Sequence, residues 1–155
     1  MKVRIKRIDK SLPLPLYETR GSVGFDLLAR TDITIRPAEI ALIPSNVIVE
    51  VPIGYSLIIA SRSSTPRKLG LTEPHGIGII DQDYCGNDDE IKIQVMNFTG
   101  KPVTIEKGAK IAQGLFIRTD RLEFEEVEEI KKQSRGGFGS TDKIKVKVME
   151  KGIKA

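Results

Sequence analysis

The residues Arg135-Gly136-Gly137-Phe138-Gly139-Ser140-Thr141 combine three glycines with one cation, one aromatic ring and two hydroxyls. Each residue type has a ligand chemistry. Glycines let backbone N–H groups close on phosphate oxygens with no Cβ in the way. Arg135 offers a forked donor to a phosphate, Ser140 and Thr141 add neutral donors, and the ring of Phe138 can lie on a base. Alone, the heptad reads equally as a nucleotide-binding arm or as a flexible Gly/Ser linker. Four other segments also set glycine or serine beside charge or amide: residues 21–30 (GSVGFDLLAR), 61–71 (SRSSTPRKLGL), 78–86 (GIIDQDYCG) and, more weakly, 108–113 (GAKIAQ).

The elements that must position these groups read as strands. Short β-branched and aliphatic runs at residues 33–35, 40–43, 47–51, 55–59, 91–98, 103–105 and 111–117 are separated by Gly, Pro, Asn and Asp. That spacing predicts an all-β sandwich or barrel. In Ile91-Lys92-Ile93-Gln94-Val95 the alternation puts the apolar side chains on one face. Only residues 123–132 have helical character, and their charge favours a solvated connecting segment. The tail after Thr141, which alternates Lys with Ile or Val up to Val148, reads either as an edge strand or as disordered chain.

Composition narrows the function. A chain of 155 residues is one domain with a sizeable core. No apolar run approaches the about 18 residues of a membrane span, and residues 1–10 hold no export segment, so a soluble cytoplasmic protein without membrane partners is expected. One cysteine and one histidine exclude an internal disulfide and a Cys/His metal cage. Any metal would be hard and oxygen-bound, which points to Mg²⁺ with a phosphate substrate. The net charge of +4 is mild, and with no tryptophan the chain lacks the basic, aromatic-laced face of a nucleic-acid binder.

In order, spacing and residue type, the five segments resemble the five motifs of the trimeric dUTPases, a family homologous to the dCTP deaminases. The resemblance covers residues 3–142. It implies a distorted jelly roll (the β-clip, dUTPase-like fold) over residues 1–130 and a flexible C-terminal arm over 131–155. It also implies hydrolysis of dUTP to dUMP and pyrophosphate by water attack on the α-phosphorus. Asp81 would orient and activate that water and touch the sugar 3′-hydroxyl, and its place after an apolar run suggests a buried strand end and a desolvated base. Asp26 would hold Mg²⁺ through water. Arg62, Ser63, Ser64 and Gln113 would hold phosphates. The ring of Tyr84 would pack under the deoxyribose, and the hairpin with His75, Gly76 and Ile80 would take uracil. Arg135, Gly139, Ser140 and Thr141 would clamp the γ-phosphate, with Phe138 stacked on the base, once the arm closes as a lid. Each site would draw on three subunits of a homotrimer.

Some positions depart from the family pattern. Cys85 stands where arginine is common, His75 where asparagine is frequent, and Asn87-Asp88-Asp89 resembles a small insertion. Arg62-Ser63-Ser64 with Arg67, Gly70 and Leu71 also resembles the dCTP deaminases, which makes a deaminase or bifunctional enzyme the competing reading. Those enzymes need a glutamate on the strand after the third motif. Gln94 stands there, and an amide cannot serve as that acid and base. A non-catalytic nucleotide-binding module ranks lower, because Asp26, Asp81, Tyr84 and Phe138 are all present.

Overall fold

The computed structural model describes residues 1–137. The compact unit is Met1–Arg121, and residues from Leu122 onward form a second unit, whose described part (122–137) contains neither strand nor helix. The chain runs β1 (Ile5–Arg7), β2 (Phe25–Leu28), β3 (Ile33–Ile35), β4 (Ile40–Pro44), β5 (Val47–Val49) and β6 (Tyr55–Ser61). It continues through α1 (Thr65–Leu69), β7 (Leu71–Thr72), β8 (Ile77–Ile80), β9 (Lys92–Asn97), β10 (Val103–Ile105) and β11 (Lys110–Arg118). Every pairing is antiparallel. The sheets are β2-β11-β6-β8, β4-β9-β7, β1-β5 and β10-β3, the layout of a jelly-roll-like β domain.

The core forms because alternation sends one apolar set inward from each principal strand. Ile93 and Val95 are buried along β9, with Ile91 just before it, Ala41 and Ile43 along β4, Phe25 and Leu27 along β2, and Leu57 and Ile59 along β6. Two buried polar side chains that flank β9 are matched. Asn97 donates to the carbonyls of Ile35 (2.9 Å) and Lys101 (2.8 Å) and accepts from Thr99. Glu90 takes a two-pronged contact from Arg30 (2.8 and 2.9 Å) and the backbone N–H of Asn46 (2.8 Å), which fixes the start of β9.

The expected strands are present with shifts of one or two residues at their ends, and β1, β2, β7 and β8 join them. The one helix among the described residues is α1, and residues 123–132 form no helix, as their charge favours. It follows the serine-rich loop, starts with a proline in its first turn and stops at Gly70, whose φ of 65° lies in the left-handed region. A Cβ at Gly70 would come within 2.0 Å of Thr99 Cγ2, so glycine is required there twice over. The edge strand β8 pairs only with β6.

Candidate active site

β6 organises the site, because its two ends carry different chemistry. At the Ser61 end, register places Asp26 of β2 opposite Gln113 of β11, and Gln113 opposite Ala60 of β6. Asp26 is the half-buried member of the alternation in which Phe25 and Leu27 face the core. Its Oδ1 lies 2.8 Å from Arg62 Nε, and its Oδ2 lies 2.7 Å from Lys110 Nζ. Lys110 also pairs with Glu18. The hydrogen bond to Asp26, then that to Glu18, raises the Lys110 ammonium pKa above its ordinary value. A register shift between Lys110 and Ala112 marks a bulge beside this contact. Gln113 donates to the Ser61 carbonyl at 3.2 Å.

Arg62, Ser63 and Ser64 lead into α1, which is held by a hydrogen bond from buried Thr65 Oγ1 to the Ile111 carbonyl (2.8 Å). Ser64 occupies the N-cap position, yet its side chain makes no capping bond, and Ser63 is exposed. Helix capping therefore leaves both hydroxyls uncommitted. Arg67 is exposed in the last turn of α1. Lys110 is the functional candidate that sequence reading missed. The signal was its place in the GAKIAQ segment, three residues before Gln113 and opposite Leu28, two residues from Asp26.

At the Tyr55 end, Asp81 and Asp83 line an open cleft of 470 Å³ with Tyr55, Ser56, Thr119 and Arg121. Gln82 donates to the Tyr55 carbonyl (3.1 Å), and Tyr84 donates its hydroxyl to the Glu90 carbonyl (3.3 Å), so the turn is pinned at both sides. The expectation of a desolvated Asp81 is corrected here. Asp81 does follow a strand, but β8 is a half-exposed edge and Asp81 is exposed in the single chain. Ile77 and Ile79 point outward, at 47% and 60% exposure. Between β7 and β8, His75 is exposed and Gly76 turns the chain at a φ of 83°. Ile80 is half-buried opposite Leu57.

The two clusters do not meet within one chain. Asp26, Gln113, Ala60 and Ile77 form one row across four strands, and Asp81 lies four residues beyond Ile77. With strand spacings near 4.8 Å and a rise near 3.3 Å per residue, Asp26 and Asp81 stand roughly 20 Å apart. Arg135 falls in the irregular residues of the second unit. Phe138, Gly139, Ser140 and Thr141, with the basic tail, lie outside the described residues.

The donor set also bears on a metal. Among the described residues no three His, Cys, Asp or Glu side chains converge on a common point. Asp26 retains lone pairs beyond its two cation contacts. It fits a hydrated Mg²⁺ that arrives with a polyphosphate, and not an ion caged by protein alone.

The family model described as dUTPase matches residues 10–142. The chain belongs to the dUTPase family. The deoxyuridine 5′-triphosphate nucleotidohydrolase of Finegoldia magna is 42% identical over 144 residues, 90% of this chain and 99% of that relative. The crystal structure of a Streptococcus mutans dUTPase superposes with a TM-score of 0.71 at 31% identity, over 77% of this chain and 98% of its own. A Staphylococcus phage 80alpha dUTPase with dUPNHPP gives a TM-score of 0.80 at 25% identity, over 90% and 97% of the two chains.

Proposed function

We propose that the chain hydrolyses dUTP to dUMP and pyrophosphate as a Mg²⁺-dependent homotrimer in the cytoplasm, keeping uracil out of DNA and supplying dUMP for thymidylate synthesis. The observation that carries this reading is the separation of two complementary half-sites. A phosphate-type cluster of Arg62, Lys110, Gln113 and free serine hydroxyls sits at one end of β6, and an open acid-and-tyrosine turn at the other. Joining chains head to tail brings the first end of one subunit against the second end of the next, and closure of that ring gives a cyclic oligomer. The exposed Ile77 and Ile79 edge supplies apolar surface for such a contact, and covering Asp81 there would desolvate it, as a general base requires.

In the assembled site Asp81 accepts a proton from a water as its oxygen attacks the α-phosphorus. The bond from that phosphorus to the bridging oxygen breaks, and pyrophosphate leaves. Arg62, Ser63, Ser64 and Gln113, with Lys110, hold phosphate oxygens and neutralise the charge that develops on them. Tyr84, locked by its hydrogen bond to Glu90, presents a ring face to deoxyribose and leaves no room for a 2′-hydroxyl. His75, Gly76 and Ile80 border the base. Arg135, Gly139, Ser140 and Thr141 close on the terminal phosphate and Phe138 covers uracil. Asp26 holds the waters of Mg²⁺, which when bound gathers the polyphosphate and offsets its charge.

Incubation of the purified protein with Mg²⁺ and, separately, dUTP, dCTP, UTP and dTTP, followed by anion-exchange chromatography, tests this. Formation of dUMP and pyrophosphate from dUTP alone is expected. Uracil nucleotides from dCTP would overturn it in favour of deamination.

A further inference from the structure

We propose that Glu73 is a specificity-determining residue that reads the 4-position of the pyrimidine from a cavity beneath the turn between β7 and β8. The inference deepens the dUTP reading and rests on it. A cavity of 250 Å³ opens there, lined by Glu73, His75, Gly78, Lys92, Gln94 and Ile59. Glu73 is 8% exposed, and among the described residues neither of its carboxylate oxygens has a hydrogen-bond partner. A buried carboxyl without a partner is costly to keep, so one facing a cavity is a group awaiting a ligand or a proton.

Gly78 brings β8 close to its neighbours: a Cβ there would stand 3.2 Å from Ile59 Cβ and 3.6 Å from His75 Nε2. Gln94 is the position at which the deaminase reading wants a glutamate. The fold brings a carboxyl to the same cavity from the end of β7, the strand paired with β9, where it cannot be inferred from the β9 sequence.

The chemistry follows from the protonation state. Uracil carries a carbonyl at its 4-position, an acceptor, and cytosine an amino group, a donor. A neutral carboxyl donates to the carbonyl, whereas a carboxylate repels it and accepts from the amino group. Burial raises the Glu73 pKa above the ordinary value for glutamate; the Ser61 backbone N–H pulls the other way but lies outside hydrogen-bond geometry. The other titratable or charged groups facing the cavity are His75 from the turn and Lys92 from β9. The elements β4 and β6 contribute uncharged Leu42 and Ile59. Lys92 is exposed, and water screens its pull on the carboxylate.

Calorimetric binding of dUMP and of dCMP to the full-length protein from pH 5 to pH 9 tests the proposal. The preference for dUMP is expected to fall about tenfold as pH rises, the scale of one hydrogen bond turned repulsive. In Glu73→Gln, whose amide donates at every pH, the preference should stay flat, while His75→Asn should keep the slope. Gln94→Glu adds a second acid and should move the midpoint to higher pH, a readout that holds should Glu73→Gln fail to fold. A flat wild-type profile, a slope that survives Glu73→Gln, or no binding of either mononucleotide would overturn it. Hydrolysis of dUTP is assayed separately, so its absence would sink the proposed function and leave the binding ratio readable.

Discussion

At the Ser61 end of β6 the charges are paired before any ligand arrives: Asp26 sits between Arg62 and Lys110, and Lys110 reaches on to Glu18. At the Tyr55 end, less than one strand length away, Asp81 is exposed beside a cleft of 470 Å³. The first end is a preorganised cradle, rigid because its cations hold one another's counterion. The second is half a site, with a pinned turn and a carboxylate that solvent still reaches. The contrast teaches where folding stops and assembly begins. One chain completes the paired charges of the Ser61 end by itself, but it leaves Asp81, the proposed base, exposed after an edge strand whose apolar residues have no neighbouring strand beyond β6.

Four substitutions separate the two ends, from the largest effect to the smallest. Asp81→Asn removes the base from the unfinished end and should cut kcat by roughly 10² or more while nucleotide binding and trimer mass persist. Steady-state kinetics with sedimentation velocity reads both, and near wild-type turnover would remove Asp81 from its role. Arg62→Ala breaks the finished end, leaving Asp26 with Lys110 alone. The loss of a charge-assisted phosphate contact should lower kcat/KM about 10- to 100-fold.

Gly70→Ala acts on the scaffold of the same end. A left-handed backbone and the approach of Thr99 should cost about 2 to 3 kcal/mol in urea unfolding, with m unchanged.

Glu73→Gln is the smallest, and its sign depends on pH. The folded protein holds the Glu73 carboxyl above the unfolded value of 4.5. Below that value both states are protonated and the acid costs nothing. As pH rises from there toward the raised folded value, only the unfolded state ionises, so stability falls; beyond the folded value the loss levels off. The amide should therefore raise Tm at pH 8 and leave it unchanged at pH 4, as differential scanning fluorimetry can show.

The same division governs what was legible in the sequence. The strands that alternate strictly, β9 above all, and the runs of β4, β6 and β11 could be read because burial on one face leaves a period of two. The residues of the Ser61 end could be named only through the dUTPase resemblance of their segments, since a lone Asp26 or Gln113 in a strand carries little signal by itself. Lys110 was overlooked because an isolated lysine in a strand resembles solvated charge, and only the pairing of β11 with β2 reveals its partner. Asp81 was expected to be desolvated because Gly78-Ile79-Ile80 reads as a buried strand. Apolar residues mark surface that must be covered, and sequence does not say whether the cover comes from the same chain. Glu73 left no signal, since its burial depends on the distant strands β4, β6 and β9. Residues 123–132 form no helix, as their charge favours, and the one short helix, α1, is a five-residue turn fixed by Pro66, Gly70 and Thr65.

The central claim is that one chain supplies the phosphate end and another the base. Mixing Asp81→Asn with Arg62→Ala subunits, by joint refolding at equal amounts, tests it most directly. Each variant alone should keep about a tenth of wild-type kcat/KM or less. If sites are shared between chains, about one site in four combines an intact Arg62 from one subunit with an intact Asp81 from another, so roughly a quarter of wild-type turnover should return. If the mixture stays as inactive as its parents, both residues must act from the same chain, and the account of a divided site fails.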